Sequence, residues 1–152
     1  MAGLRFAYAG APVEYTATVV RTALQIVAAT NTRVKVERLS IAGDSVTAAN
    51  VPALWQLILQ TSAGTSVAAT ETKLDEDASE TLQTTFLDTF SSTEPTDGGV
   101  ILWSKLISPL STYDLVFPPM RELYLTGGSR LGLRINAPTD TNDWLVSGQF
   151  EE

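Results

Sequence analysis

Neither cysteine nor histidine occurs among the 152 residues of this chain. Disulfide frameworks, thiolate zinc sites, cysteine nucleophiles and every Ser-His or Cys-His dyad are thereby excluded. Positive charge is scarce as well: 10 Lys and Arg stand against 17 Asp and Glu, a formal net charge of −7. That balance opposes neutralising the phosphates of a nucleic acid or docking on an anionic membrane, so neither is expected as a partner. Long apolar runs are missing too. The first 20 residues carry Arg5 and Glu14 and have no unbroken apolar segment, so neither a signal peptide nor a membrane-spanning helix fits. The expectation is a chain made as a soluble cytoplasmic protein. A lack of cysteine suits a reducing compartment, and equally a particle that persists outside a cell.

What the chain does hold is β-forming material at the length of one domain. Threonine fills 20 positions, and with Val, Ile, Leu and the aromatics it makes up short runs bounded by Gly, Pro, Asn, Asp and Ser. No apolar stripe of helical period is sustained, and the spacing of turn signals is that of a sandwich or barrel, so the expected class is all-β. Val13 to Val20 alternates and reads as a half-buried strand, followed by Thr22 to Val27 and a turn at Ala28 to Asn31. In Arg33 to Ile41, Val34 and Val36 share one parity while Leu39 and Ile41 take the other. Such a switch predicts a bulge, or a twist that moves the strand between sheets.

Leu54 to Gln60 fits a strand face through Trp55, Leu57 and Leu59, and also a helix capped by Asn50 with Pro52 in its first turn. Its shortness and the turn residues Ser62 to Thr65, read as a hairpin turn, favour the strand. Residues 71–80 hold five acids and one lysine and read as a solvated loop. Leu82 to Phe90 is expected to be extended, Ser91 to Gly99 a loop, Val100 to Leu106 a strand and Tyr113 to Phe117 another, with prolines at the corners. Arg121 to Leu125, Arg130 to Ile135 and Trp144 to Phe150, separated by Gly127-Gly128 and by Asn136 to Asn142, predict three consecutive antiparallel strands.

Candidate chemistry is sparse. Asp75, Glu76, Asp77 and Glu80 form the densest acidic cluster, but counting from Asp75 puts Glu80 where a calcium loop needs glycine and Phe86 where it needs a bidentate Glu. Thr96-Asp97-Gly98 and Asp140-Thr141-Asn142 lie in expected turns, where Asp and Asn serve backbone geometry. Gly98-Gly99 and Gly127-Gly128 match no phosphate-binding pattern. The expectation is therefore no catalytic residue, no cofactor and no metal. Trp55, Trp103 and Trp144, with Tyr8, Tyr15, Tyr113 and Tyr124, suit either a core or a contact surface. Residues 1–12 read as an N-terminal arm ahead of a single domain over 13–152: Arg5, Phe6 and Tyr8 precede the break Gly10-Ala11-Pro12, as in a segment that orders against a partner. The expected contact residues are Arg5, Phe6, Tyr8, Trp55, Trp103 and Tyr113.

The series Arg121 to Leu125, Gly127-Gly128, Arg130 to Ile135, Asn136-Ala137-Pro138 and the ending Gly148-Gln149-Phe150-Glu151-Glu152 resembles small virion proteins of tailed bacteriophages, of the head-decoration or cement type. Leu57 to Thr61 leading into Ala63-Gly64-Thr65, and Leu82 to Thr85 before Ser92 to Thr96, look like the same kind of protein. The resemblance implies a jelly-roll-like β-sandwich of about eight antiparallel strands, assembled as a homotrimer. It further implies a place on the outer capsid surface, where the protein binds across neighbouring copies of the major capsid protein. A carbohydrate- or receptor-binding module of a phage fibre or tail is the second expectation, and a carboxylate-based hydrolase has only the poor motif matches above. A protein of the first kind works by binding alone, since a site spread over two shell subunits exists only in the assembled shell.

Overall fold

Alternation of apolar and polar residues decides which side of a strand turns inward, and here it does so for two sheets at once. A computed structural model describes residues 3–16, 19–44, 51–137 and 141–152, and these contain no helix. The strands in chain order are β1 Arg5–Ala9, β2 Val13–Tyr15, β3 Val20–Val27, β4 Val34–Asp44, β5 Ala53–Gln60, β6 Thr65–Ala68 and β7 Glu71–Lys73. Then come β8 Thr85–Thr93, β9 Asp97–Ile107, β10 Thr112–Val116, β11 Leu123–Leu125, β12 Arg130–Asn136 and β13 Asn142–Glu151. One antiparallel sheet runs β10-β4-β13-β1-β7, with β11 continuing β10 along β4 and β2 continuing β1 along β13; the other runs β6-β8-β3-β12-β5-β9. The protein is an all-β sandwich. The described residues form thirteen strand segments where about eight are expected; two lines of the first sheet, β10–β11 and β1–β2, are each interrupted.

The core lies between the sheets. Phe6 and Phe150 of the first sheet stack at 5.6 Å between ring centroids, and Phe86 of the second meets Phe150 at 4.9 Å and Phe6 edge-on at 5.5 Å. A second aromatic joint, Trp55 against Trp144 at 5.3 Å and 67°, pins β5 to β13. Edge-on and offset rings satisfy their quadrupoles while each buries a large apolar area. Between them Leu24, Ile26, Val34, Val36, Leu39, Ile41, Leu57, Leu131, Leu133 and Ile135 are buried.

Residues 5–9 are not an arm. The alternation of Arg5, Ala7 and Ala9 with buried Phe6 and Tyr8 makes them an interior strand of the first sheet, paired to β13 on one side and to β7 on the other. Gly10-Ala11-Pro12 is a kink within one strand line: Ala9 pairs with Ser147 and Val13 with Trp144, and Gly10 N donates to Val146 O at 3.0 Å. The expected strand from Val13 to Val20 is shorter: β2 ends at Tyr15, residues 17 and 18 lie outside the described residues, and Val20 already opens β3.

The parity switch in β4 is a bulge, and the strand stays in one sheet. Gln149 pairs with Arg38 and Phe150 with Val36, so Glu37 has no opposite residue and both Val36 and Leu39 turn inward. Leu54 to Gln60 is a strand, β5. Ser62 to Thr65, however, makes no hairpin. β5 pairs with β9 and β6 with β8, and between these pairs Thr61 N donates to Thr96 O while Thr96 N donates to Ser62 Oγ, both at 2.8 Å. Residues 53–68 and 85–107 are thus one long antiparallel ribbon that bends and is parted by β3 and β12. At the bend Gln25 Nε2 donates to Ser62 O at 2.9 Å and to Gln60 Oε1 at 2.7 Å, and Gln60 Nε2 to Thr22 Oγ1 at 3.1 Å. Gly132 sits opposite Gln25, where a Cβ would overlap the Gln60 amide.

Two further expectations change. Ser91 to Gly99 is mostly strand, with only residues 94–96 outside β8 and β9. The three C-terminal strands do not pair with one another: β11 lies on β4, β12 between β3 and β5, and β13 between β4 and β1. Inward alternation is the same in either sheet of a sandwich, so it names a strand's face but not its neighbour. The Gly127-Gly128 turn carries the chain across: Gly128 has φ 80° and donates its N–H to Ala28 O, and Gly127 lies too close to the Thr30 carbonyl for any Cβ.

Candidate functional site

β9 ends the order of its sheet, so one of its edges has no partner among the described residues. Its inner edge is irregular. Leu57 pairs with Trp103 and Ile58 with Ile101, leaving Leu102 extra; Ile58 to Gln60 then spans Ile101 to Asp97, so Leu59 faces Gly98, Gly99 and Val100. Gly99 makes the excursion possible, with φ 77° and open space around its Cα. Once pairing is lost, consecutive side chains no longer alternate between core and solvent. Val100, Ile101 and Leu102 are 49%, 49% and 42% exposed, three adjacent aliphatic side chains in water.

This segment lies on an open side of the sandwich. Trp103 of β9 stacks on Tyr113 of β10 at 5.6 Å and 18°, bridging the edges of the two sheets, and Lys105 Nζ sits 3.8 Å from the Tyr113 ring centroid. Residues 108–111 join the two strands. Leu106, Leu110 and Val116 are also exposed, and Leu106 and Leu110 lie at the connector. Lys105 is the sole charged residue from Gly98 to Leu110. An exposed aliphatic edge with a single charge is the kind of surface through which chains associate.

Of the expected contact residues, the structure brings Trp103 and Tyr113 together here. Phe6, Tyr8 and Trp55 are buried in the core, where no partner reaches them. Arg5 is exposed on β1, away from β9, and its guanidinium binds Glu37 at 3.0 Å. Val100 to Leu102 were not among the expected contacts. Their signal in the sequence is the run Val100-Ile101-Leu102-Trp103, four apolar residues without alternation directly after two glycines.

The other candidate groups resolve locally. Asp97, which the sequence places in a turn, begins β9 and binds the Arg134 guanidinium. Asp140 lies outside the described residues. Within residues 71–80, Glu71 to Lys73 is β7 and not loop, whereas Asp75, Glu76, Asp77 and Glu80 are exposed. Among the described residues no three acidic side chains gather as a metal site. Burial and the hydrogen bond to Asp88 at 2.8 Å push the Tyr8 phenol well above its ordinary range. Burial, with Glu94 and Asp88 nearby, does the same for Tyr15. On the outer face of the first sheet Lys35 Nζ lies 2.8 Å from Glu151, 3.1 Å from Glu37 and 3.5 Å from Glu122. Hydrogen bonds to Glu151 and Glu37 raise the lysine, and the same bond holds the Glu151 carboxyl low.

No family model matches this chain, and no curated protein or solved structure does either.

Proposed function

We propose that this chain is a structural virion protein that decorates and stabilises a bacteriophage capsid, binding as a trimer across neighbouring major capsid subunits on the outer surface. The observation that carries the reading is the open side of the sandwich. Val100, Ile101 and Leu102 are three adjacent exposed aliphatic residues on β9, the unpaired edge of its sheet, next to half-buried Trp103, which stacks on Tyr113; this is the composition of a surface completed by binding. The sequence resemblance supplies the partner, and the charge of −7 supports the outside of the shell over contact with packaged DNA. A fibre head or glycan-binding module has less support. Trp55 and Trp144 are buried, and Trp103 and Tyr113 cover one another's faces with Lys105 over the Tyr113 ring, which leaves little flat aromatic surface there for a sugar ring.

The test is co-sedimentation of the purified protein with expanded, undecorated shells, beside an Ile101→Asp variant. The wild type is expected to sediment with the shells, and the variant, still folded, to bind about tenfold or more weakly, because a charge is desolvated on contact. Equal binding by both proteins, or none by the wild type, overturns the reading.

A further inference from the structure

The turn between β10 and β11 holds the most exposed apolar side chain of the described residues. Arg121 N donates to Pro118 O at 3.0 Å, closing the turn Pro118-Pro119-Met120-Arg121, and Met120 sits at its third position with φ 68°. That position normally belongs to glycine, because a Cβ is strained there. Met120 is 96% exposed, so no contact within its own chain offsets the strain. A flexible apolar side chain presented on a rigid two-proline turn is a knob without a hole. Beside it Arg121 is exposed and in no ion pair among the described residues.

A matching hole exists on the same chain. Next to β7, a groove of about 840 Å³ has Leu4, Leu74 and Ala78 in its lining and Asp75 and Glu80 at its rim. Two other charged groups there are engaged: Arg5 by Glu37, and Glu152 by the N–H groups of Gln83 and Thr84 at 2.8 and 3.0 Å. Asp75 and Glu80 are in no ion pair among the described residues, so the groove's free charge is negative where the knob's is positive. β7 forms one edge of its sheet and the β10–β11 line the other, so one chain cannot fill its own groove.

We propose that Met120 of one copy seats in the groove beside β7 of the next, with Arg121 meeting Asp75 and Glu80. Such a contact is heterologous, joining two different patches head to tail, and gives a ring of identical copies where its rotation closes and an open filament where it does not; the closed ring is the form proposed. It deepens the oligomeric part of the reading above, on which it rests for its place on a shell. The contact itself rests on the knob, the groove and their opposite charges.

Sedimentation equilibrium of the full chain tests it, with shell binding measured in parallel. The wild type is expected to form a closed oligomer. Met120→Gly is expected to raise the melting temperature of the chain while weakening association about tenfold or more. Arg121→Glu should dissociate the oligomer, and adding Glu80→Arg in the same chain should restore it. A wild type that remains monomeric, or an oligomer unmoved by Met120→Gly and Arg121→Glu, overturns the contact. Wild-type protein that binds shells in spite of either result leaves the decoration reading standing; oligomers that assemble as expected but ignore shells overturn only that reading.

Discussion

β13 and β9 are nearly equal in length and both rich in apolar residues, yet one is the spine of its sheet and the other an exposed edge. β13 is paired on both sides, by β4 and by β1, and alternates almost without fault, with Trp144, Val146 and Phe150 turned inward. β9 is paired on one side only, loses register twice, and leaves most of its residues in solvent from Gly98 to Leu106. The difference teaches that apolar content draws a strand into a core where neighbours on both sides hold its alternation in phase with the sheet. Where glycine lets the backbone swing out, the same residue types become a surface.

The comparison breaks most sharply at its ends. Phe150→Ala should cost about 4 kcal/mol in a denaturant titration, since it opens a cavity between Phe6 and Phe86, whereas Ile101→Asp should shift stability by less than about 0.5 kcal/mol. Equal losses at the two positions would mean that β9 is packed. A smaller effect tests the ribbon between them: Gly132→Ala should cost about 1–2 kcal/mol, because the new methyl displaces the Gln60 amide from Gln25 and Thr22. The double variant with Gln60→Ala should show a clear coupling of the two changes, since the clash is then removed.

The smallest effect is electrostatic and belongs to the β13 side. Glu151 is held low by Lys35, and Asp114 of β10 by Ser40 and Arg38. A carboxyl depressed in the folded state adds stability above its unfolded pKa of about 4, and that contribution disappears as pH falls through the lower folded value. With no histidine in the chain, thermal melts should be flat from about pH 6 to 9 and fall in acid. On the alkaline side, the raised Tyr8 and Tyr15 phenols and the raised Lys35 add stability that is lost above about pH 10, as the unfolded groups deprotonate. Lys35→Met should shrink the acid-side fall, whereas Ile101→Asp should leave the neutral plateau flat.

How much was legible follows the same division. The break in β4 could be found because Val36 and Leu39 contradict one another in parity; that conflict allows a bulge or a change of sheet, and the pairing with β13 decides for a bulge at Glu37. The strand nature of Trp55, Leu57 and Leu59 and the turn at Gly127-Gly128 were equally readable. Phe6 and Tyr8 were misread because Gly10-Ala11-Pro12 has the composition of a boundary, and a kink inside one strand line uses the same residues. In the candidate site Trp103 and Tyr113 were found, but their contact was hidden: they lie on strands of different sheets. Met120 and the groove beside β7 carry no pattern at all, since one depends on a single dihedral angle and the other on segments brought together from distant parts of the chain.

By itself the sequence determined that this protein is all-β, which residues of each long strand alternate, where β4 breaks its alternation, and that thiol and imidazole chemistry is closed to it. These are local properties, set by side-chain identity and a two-residue period. Only the tertiary structure decided which strand lies beside which, that Phe6, Tyr8 and Trp55 are core while Val100 to Leu102 are surface, and that a methionine knob and an acidic-rimmed groove stand at different edges. Both sheets of a sandwich ask the same alternation of their strands, so pairing and exposure are settled by the sum of contacts over the whole chain.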